Sequence, residues 1–107
     1  MPILEENPSL DAYQRYVEEL EHERGFIDQS VIHKCLLLGE EVGELFKAVR
    51  KKEGLKIDFN SNLTQISHEL TDILIYLCAI ANRYGIDLEK AFREKEEINK
   101  KRQWTKE

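Results

Sequence analysis

Little in this 107-residue chain opposes helix formation or calls for covalent stapling: it holds two prolines, five glycines and two cysteines. Scarce Pro and Gly disfavour a β architecture, which needs many tight turns. Cys35 and Cys78 lie in apolar helical patterns outside any CxxC spacing, which excludes a thiolate zinc site or a disulfide framework and predicts two buried free thiols. No stretch approaches the roughly 20 apolar residues of a membrane span. The opening MPILEENPSL lacks a basic segment leading into a long apolar run, so a cytoplasmic protein with no membrane partner is expected. Positive charge is in deficit as well, with 16 Lys and Arg against 21 Asp and Glu and a net charge of -5. That excludes the basic field with which a protein coats a nucleic-acid polymer. A small phosphate-bearing molecule stays admissible if cations invert the local potential.

What is present is helical periodicity, and it predicts one all-α domain over residues 1–107. Leu10, Tyr13, Val17 and Leu20 give helix 1, capped by Asn7 with Pro8 in its first turn and ended by Gly25. Asp28 is the expected cap of helix 2, whose core stripe is Val31, Cys35, Leu38, Val42, Leu45 and Val49. Gly39 and Gly43 interrupt that stripe, which predicts close approach of another backbone or a ligand. After Gly54, Ser61 or Asn62 caps helix 3, expected to be the most buried, with Leu63, Ile66, Leu70, Ile73, Leu74, Leu77, Ile80, Ala81 and Tyr84 inward. Gly85 ends it. Asp87 caps a fourth helix with a narrower apolar edge.

Two acidic pairs are set into the flanks of helices 2 and 3. Glu41 and Glu44 are three residues apart, as are Glu69 and Asp72, so each pair shares a face about a turn apart. On a helical wheel Glu41 lies about 75° and Glu44 about 135° from the centre of their stripe. Glu69 and Asp72 lie about 85° and about 145° from theirs, in the same sense. The short connection predicts an antiparallel helix hairpin, whose perpendicular two-fold axis brings these flanks to one side. Two bare carboxylates about 4 Å apart repel by about 4 kcal/mol at an effective dielectric near 20, so such a site must gather protons, water or cations. An all-oxygen ligand set favours Mg²⁺ or Mn²⁺ over zinc or copper. Glu40 faces away from the core and reads as surface unless a partner subunit covers it.

Glu40, Glu41 and Glu44 form EExxE, followed after 24 residues by Glu69 and Asp72 as ExxD within HELTDILIYL. Together with the later NKKRQW, this resembles the signature of the MazG-like all-α nucleoside triphosphate pyrophosphohydrolases, over roughly residues 28–104. The resemblance implies a four-helix MazG-like fold assembled as a homodimer or homotetramer. It implies Mg²⁺, with Mn²⁺ able to substitute, held by Glu41, Glu44, Glu69 and Asp72. Glu40, beside Glu41 in the catalytic centre, becomes a further ligand or the base for the attacking water. The implied reaction is hydrolysis of (deoxy)nucleoside triphosphates to monophosphate and pyrophosphate, in the manner of enzymes that remove non-canonical nucleotides. Lys95, Asn99 and Arg102, at steps of four and three, resemble the residues of the family's fourth helix that approach the nucleotide.

One position departs from the family: where several relatives carry another acidic residue, this chain has Lys47, which either lowers the number of metals or contacts phosphate. Trp104, Tyr76, Phe46 and His33 are candidates for the base pocket, which is expected between subunits because so small a helical domain has no cleft of its own. His68 is second to Glu69 or simply exposed. Phosphoribosyl-ATP pyrophosphohydrolysis and a non-catalytic helical assembly module are the competing functions. A di-iron bundle is disfavoured, since ExxH would be needed and positions 47 and 72 are Lys and Asp.

Overall fold

The computed structural model of the chain describes residues 1–54 and 63–102, and these contain four α-helices and no strand. They are α1 (Leu10–Arg24), α2 (Val31–Lys52), α3 (Leu63–Arg83) and α4 (Leu88–Lys100). None of them is long and apolar enough to cross a membrane. The expected caps Ser61 and Asn62 and the expected base contact Trp104 lie outside the described residues.

Two helix starts differ from expectation by the same margin. Ser9 caps α1 in place of Asn7, its Oγ accepting the Ala12 N–H at 3.0 Å. Ser30 caps α2 in place of Asp28, accepting from the His33 N–H at 3.0 Å. Serine caps a helix about as well as Asn or Asp, so two candidates this close differ little in energy and packing decides between them. At the end of α1, Gly25 takes φ 75°, and the N–H groups of Gly25 and Phe26 turn back onto the carbonyls of His22 and Glu21. This closes the orphan carbonyls of the last turn with a left-handed residue that only glycine adopts cheaply. Asp87 caps α4 as expected, accepting from Lys90 N–H at 3.1 Å.

Helices α2 and α3 form the antiparallel hairpin. Moving along α2 from Lys34 through Glu41 to Ala48, the facing residues on α3 run backwards from Tyr76 through Asp72 and Glu69 to Gln65. The core proper lies between α1 and the second half of α3, where Val17 and Leu20 meet Cys78 and Ala79, with Tyr13, Leu74, Ile75 and Leu88 packed around them. Gln14 locks this arrangement. Its side-chain amide donates to Asn82 Oδ1 and to the Ile86 carbonyl and accepts the Leu88 N–H, so one side chain ties α1 to α3 and to the start of α4. Helix α4 packs against α1.

The face that α2 buries is rotated by roughly a quarter turn from its apolar stripe. Lys34 and Ala48 are buried and Glu41 is half-buried between them, at steps of seven, whereas Cys35 and Val49 are exposed. Cys35 is therefore not the buried thiol expected; Cys78 is. On α3 the members Leu70, Leu77 and Tyr84, again seven apart, are exposed, so only part of the predicted stripe is inside. A side chain added at Gly39 or Gly43 would meet open space, so their small size answers to no close approach among the described residues. The apolar residues of α2 and α3 outnumber what one chain can cover, and packing within the chain uses the side that carries ion partners.

Those partners form a buried cluster. The Glu21 carboxylate, 2 % exposed, takes a two-point contact from the Arg83 guanidinium at 2.8 and 3.1 Å and the Lys34 ammonium at 2.8 Å. Burial alone would push the Glu21 carboxyl up, but these two cations more than offset it and hold it below the ordinary value. Arg83 also donates to the carbonyls of Phe26, Gln29 and Ala79, so the α1–α2 connection is moored to α3. Truncating one member of a buried ion cluster leaves the other charges uncompensated. Glu21→Gln is expected to lower the stability of the folded chain by about 3–5 kcal/mol in urea unfolding, and Glu21→Leu combined with Lys34→Met to recover part of the loss.

Candidate functional site

Every helix pair has one seam, and the α2–α3 seam carries acid. Glu41 comes from the middle of α2, and Glu69 and Asp72 from successive turns of α3. One carboxylate oxygen from each lies within 4.8 Å of the others. All three side chains are half-buried. Glu69 Oε2 is buried with no hydrogen-bond donor against it. An orphaned carboxylate oxygen inside an all-oxygen cluster is the environment a hard divalent cation satisfies, and the residues present fit one.

Below a pH of about 7 the cluster holds a proton. Sharing a hydrogen with Glu69, burial, and the charges of Glu69, Asp72 and Glu44 together push the Glu41 carboxyl from 4.5 up to about 7. The Tyr76 phenol is raised too, by burial and then by the charges of Glu41, Asp72 and Glu40. Glu40 thus belongs to the outer rim of the same negative field, although its side chain is exposed.

The other residues singled out from sequence fall in distinct places. Glu44 is not part of the three-residue group; it is exposed one turn further along α2, on a cleft of about 220 Å³ that it shares with Glu69, Lys47, Lys51 and Gln65. Lys47 therefore lines a cleft that touches the cluster, and Lys51 beside it adds a second cation. Lys95 is exposed on α4, and Asn99 Nδ2 donates to Glu96 at 2.8 Å. Arg102 lies past the end of α4, with its N–H on the Asn99 carbonyl at 3.1 Å, so the helical spacing from Lys95 does not run through to it. Their helix packs against α1, whereas the acidic cluster belongs to α2 and α3. His33, Phe46 and His68 are exposed.

Sequence reasoning missed the other end of the seam. A cavity of about 170 Å³ opens beside Asp72 and Tyr76 and runs to Lys34, Phe26 and Gln29, within a single chain. The expectation that no cleft exists inside one subunit is therefore corrected. The cavity forms because Lys34 stands where an apolar side chain would fill the space and points to Glu21, with the rings of Phe26 and Tyr76 at 5.2 and 5.6 Å from its ammonium. A signal was present: Lys34 interrupts an otherwise apolar turn of α2 seven residues before Glu41.

Fold and site together define a class, helical proteins that gather carboxylates from two antiparallel helices into one acidic cluster. The profile of the MazG nucleotide pyrophosphohydrolase domain matches residues 29–104, and the chain belongs to this family of nucleotide pyrophosphohydrolases. A search among curated proteins gave no significant match.

The raised Glu41 carboxyl has a sign that can be measured. Between 4.5 and about 7 the folded chain keeps a proton that the unfolded chain has released, so this group lowers stability as pH rises through that window. In EDTA, Glu41→Gln is expected to melt within a degree or two of wild type at pH 5 and about 5 °C or more above it at pH 8. Equal melting temperatures at both pH values would refute the shared proton.

Proposed function

We propose that the chain hydrolyses (deoxy)nucleoside triphosphates to nucleoside monophosphate and pyrophosphate in a Mg²⁺-dependent reaction, with Mn²⁺ able to substitute. The observation that carries this reading is the carboxylate cluster of Glu41, Glu69 and Asp72 in direct continuity with a cleft bearing Lys47 and Lys51. A site for phosphate next to a site for a cation is what opening a phosphoanhydride requires. Glu41, Glu69 and Asp72 hold the metal, with Glu44 completing the set from the next turn of α2. When bound, the cation neutralises phosphate oxygens and acidifies a water.

The chain's own residues supply the rest. Water adds across the anhydride between the α- and β-phosphates, placing its hydroxyl on one phosphorus and leaving a proton to be taken up. Glu40, on the rim and solvated, is the acceptor of that proton. Lys47 receives pyrophosphate oxygens and offsets the charge left on the leaving group. Lys95, Asn99 and Arg102 reach the nucleotide only across an interface, because their helix lies against α1. This agrees with work as a homodimer or homotetramer, supported by Leu36, Phe46, Leu70 and Leu77, which stay 68, 67, 52 and 43 % exposed in one chain. The free thiols of Cys35 and Cys78 suit a reducing cytoplasm.

The test is pyrophosphate release from a panel of canonical and modified NTPs and dNTPs. Wild type with Mg²⁺ is expected to produce pyrophosphate and monophosphate in equal amounts, and EDTA to abolish both. Asp72→Asn and Glu44→Gln are expected to lower turnover by about 100-fold or more, the usual loss when a fixed electrostatic partner of the transition state is removed. Variants that match wild type would place the chemistry elsewhere.

A further inference from the structure

The carboxylates of the α2–α3 seam divide unevenly. Glu41, Glu69 and Asp72 converge, whereas Glu44 is exposed on the adjoining cleft of about 220 Å³. Glu69 is the wall that cluster and cleft share, and the other charged walls of the cleft are Glu44, Lys47 and Lys51. Beyond the cluster, the cleft therefore sets one carboxylate of its own against two ammonium groups.

Lys47 is held in that cleft without a partner of its own. The exposed Arg15, Arg93 and Lys100 are each taken up by an acid one turn away on their own helix, Asp11 at 2.9 Å, Glu89 at 3.0 Å and Glu97 at 3.3 Å. Glu44 and Lys47 stand at the same spacing as Glu97 and Lys100, yet Lys47 enters no ion pair among the described residues. Ala48, buried beside it, seats this turn of α2 on the hairpin seam. The other end of the cluster is bordered by positive charge too. The cavity beside Asp72 is lined by Arg24 and Lys34, and Glu21, the further carboxylate there, already carries Lys34 and Arg83.

These borders bear on how many divalent ions the seam can hold. Where two such ions act together they lie about 3.5–4 Å apart, so each needs oxygen ligands of its own beside any that are shared. A second ion next to one on Glu41, Glu69 and Asp72 would find a single further carboxylate, Glu44, and would face the like charges of Lys47 and Lys51. An ammonium needs no such ligands, and its three N–H groups can all be given to phosphate oxygens.

We propose that the seam holds one divalent ion per chain and that the Lys47 ammonium stands where a second would act. The inference rests on the cation reading of the cluster and deepens it, giving Lys47 two tasks: it excludes a further ion and supplies positive charge to the phosphates in its stead.

The experiment is a Mn²⁺ titration of the full chain followed by electron paramagnetic resonance, which counts bound ions and distinguishes an isolated ion from a coupled pair. Wild type is expected to bind one Mn²⁺ per chain with the spectrum of an isolated ion. Lys47→Glu, a change at an exposed position, is expected to admit a second ion and to broaden the signal through coupling. Lys47→Ala is expected to bind Mg²⁺-pyrophosphate about tenfold more weakly, the loss of one charge-assisted hydrogen bond. Two ions or none in wild type, a Lys47→Glu chain that stays at one, or an unchanged pyrophosphate affinity in Lys47→Ala would overturn the proposal; the wild-type count needs no variant to fold. The two readings fail separately. One ion per chain with the expected behaviour of both variants but no NTP turnover would defeat the hydrolase reading and keep the role of Lys47, whereas turnover by a chain holding two ions would do the reverse.

Discussion

Three carboxylates held on two packed helices cannot all stay ionised with nothing between them, and much of the rest of the chain follows from that constraint. The repulsion is relieved where Glu41 keeps a proton, its carboxyl being pushed up to about 7 by the hydrogen shared with Glu69, by burial and by the neighbouring charges. The cost falls on the most extensive helix-on-helix packing among the described residues, that of α2 on α3. The chain compensates two turns away. Lys34, two turns before Glu41, is drawn into the interior by Glu21, and Arg83 closes the cluster from α3, so α1 clamps the hairpin just beyond its repulsive centre. Like charge at one level of the seam is answered by opposite charge at the next.

This clamp also explains why the fold tolerates a cavity beside the cluster. A core made only of Leu and Ile would pack the space between Phe26 and Tyr76 shut, since interiors close to crystal density. A lysine anchored at its tip cannot collapse into that space without losing its partner, and a buried ammonium without its carboxylate is far costlier than a small void. The cavity is thus kept open by electrostatics and walled by aromatics. Its opening onto Asp72 puts it in register with the cluster with no further device.

Much of this architecture was legible in the sequence, and the boundary between what was and was not has a physical basis. Helix number, the glycine stops at 25, 54 and 85, and the antiparallel pairing of α2 with α3 follow from local rules: periodicity, left-handed C-caps and a short connection. The approach of Glu41 to Glu69 and Asp72 follows from spacing plus that pairing. The rotation of α2 and α3 about their own axes did not follow. Periodicity reports every apolar residue, whether it is covered by this chain or by something outside it, and the stripes through Cys35, Val42 and Val49 and through Leu70, Leu77 and Tyr84 carry no mark that tells the two apart. Lys34 left a trace in the sequence as a break in an apolar turn, but its burial against Glu21 was not legible, for a related reason. Their partners are 13 and 62 residues away in the chain, and a charge inside an apolar turn reads as surface until its partner is known.

The rotation has a functional corollary. Had α2 buried its full apolar stripe, Glu41 would lie on the flank, near enough to solvent to ionise freely, and the cluster would lose the orphaned Glu69 oxygen that makes it a strong acceptor. Turning the helix toward Lys34, Glu41 and Ala48 brings Glu41 into the seam and leaves a strip of Leu36, Phe46 and Val49 outside. One movement therefore creates both a crowded acidic cluster and an exposed apolar face. Each is unfavourable in an isolated chain, the first because it crowds like charges and the second because it leaves apolar side chains in water. Because both depend on the same axial rotation of α2, the closeness of Glu41 to Glu69 and the extent of the outer apolar strip are set together by one rigid element.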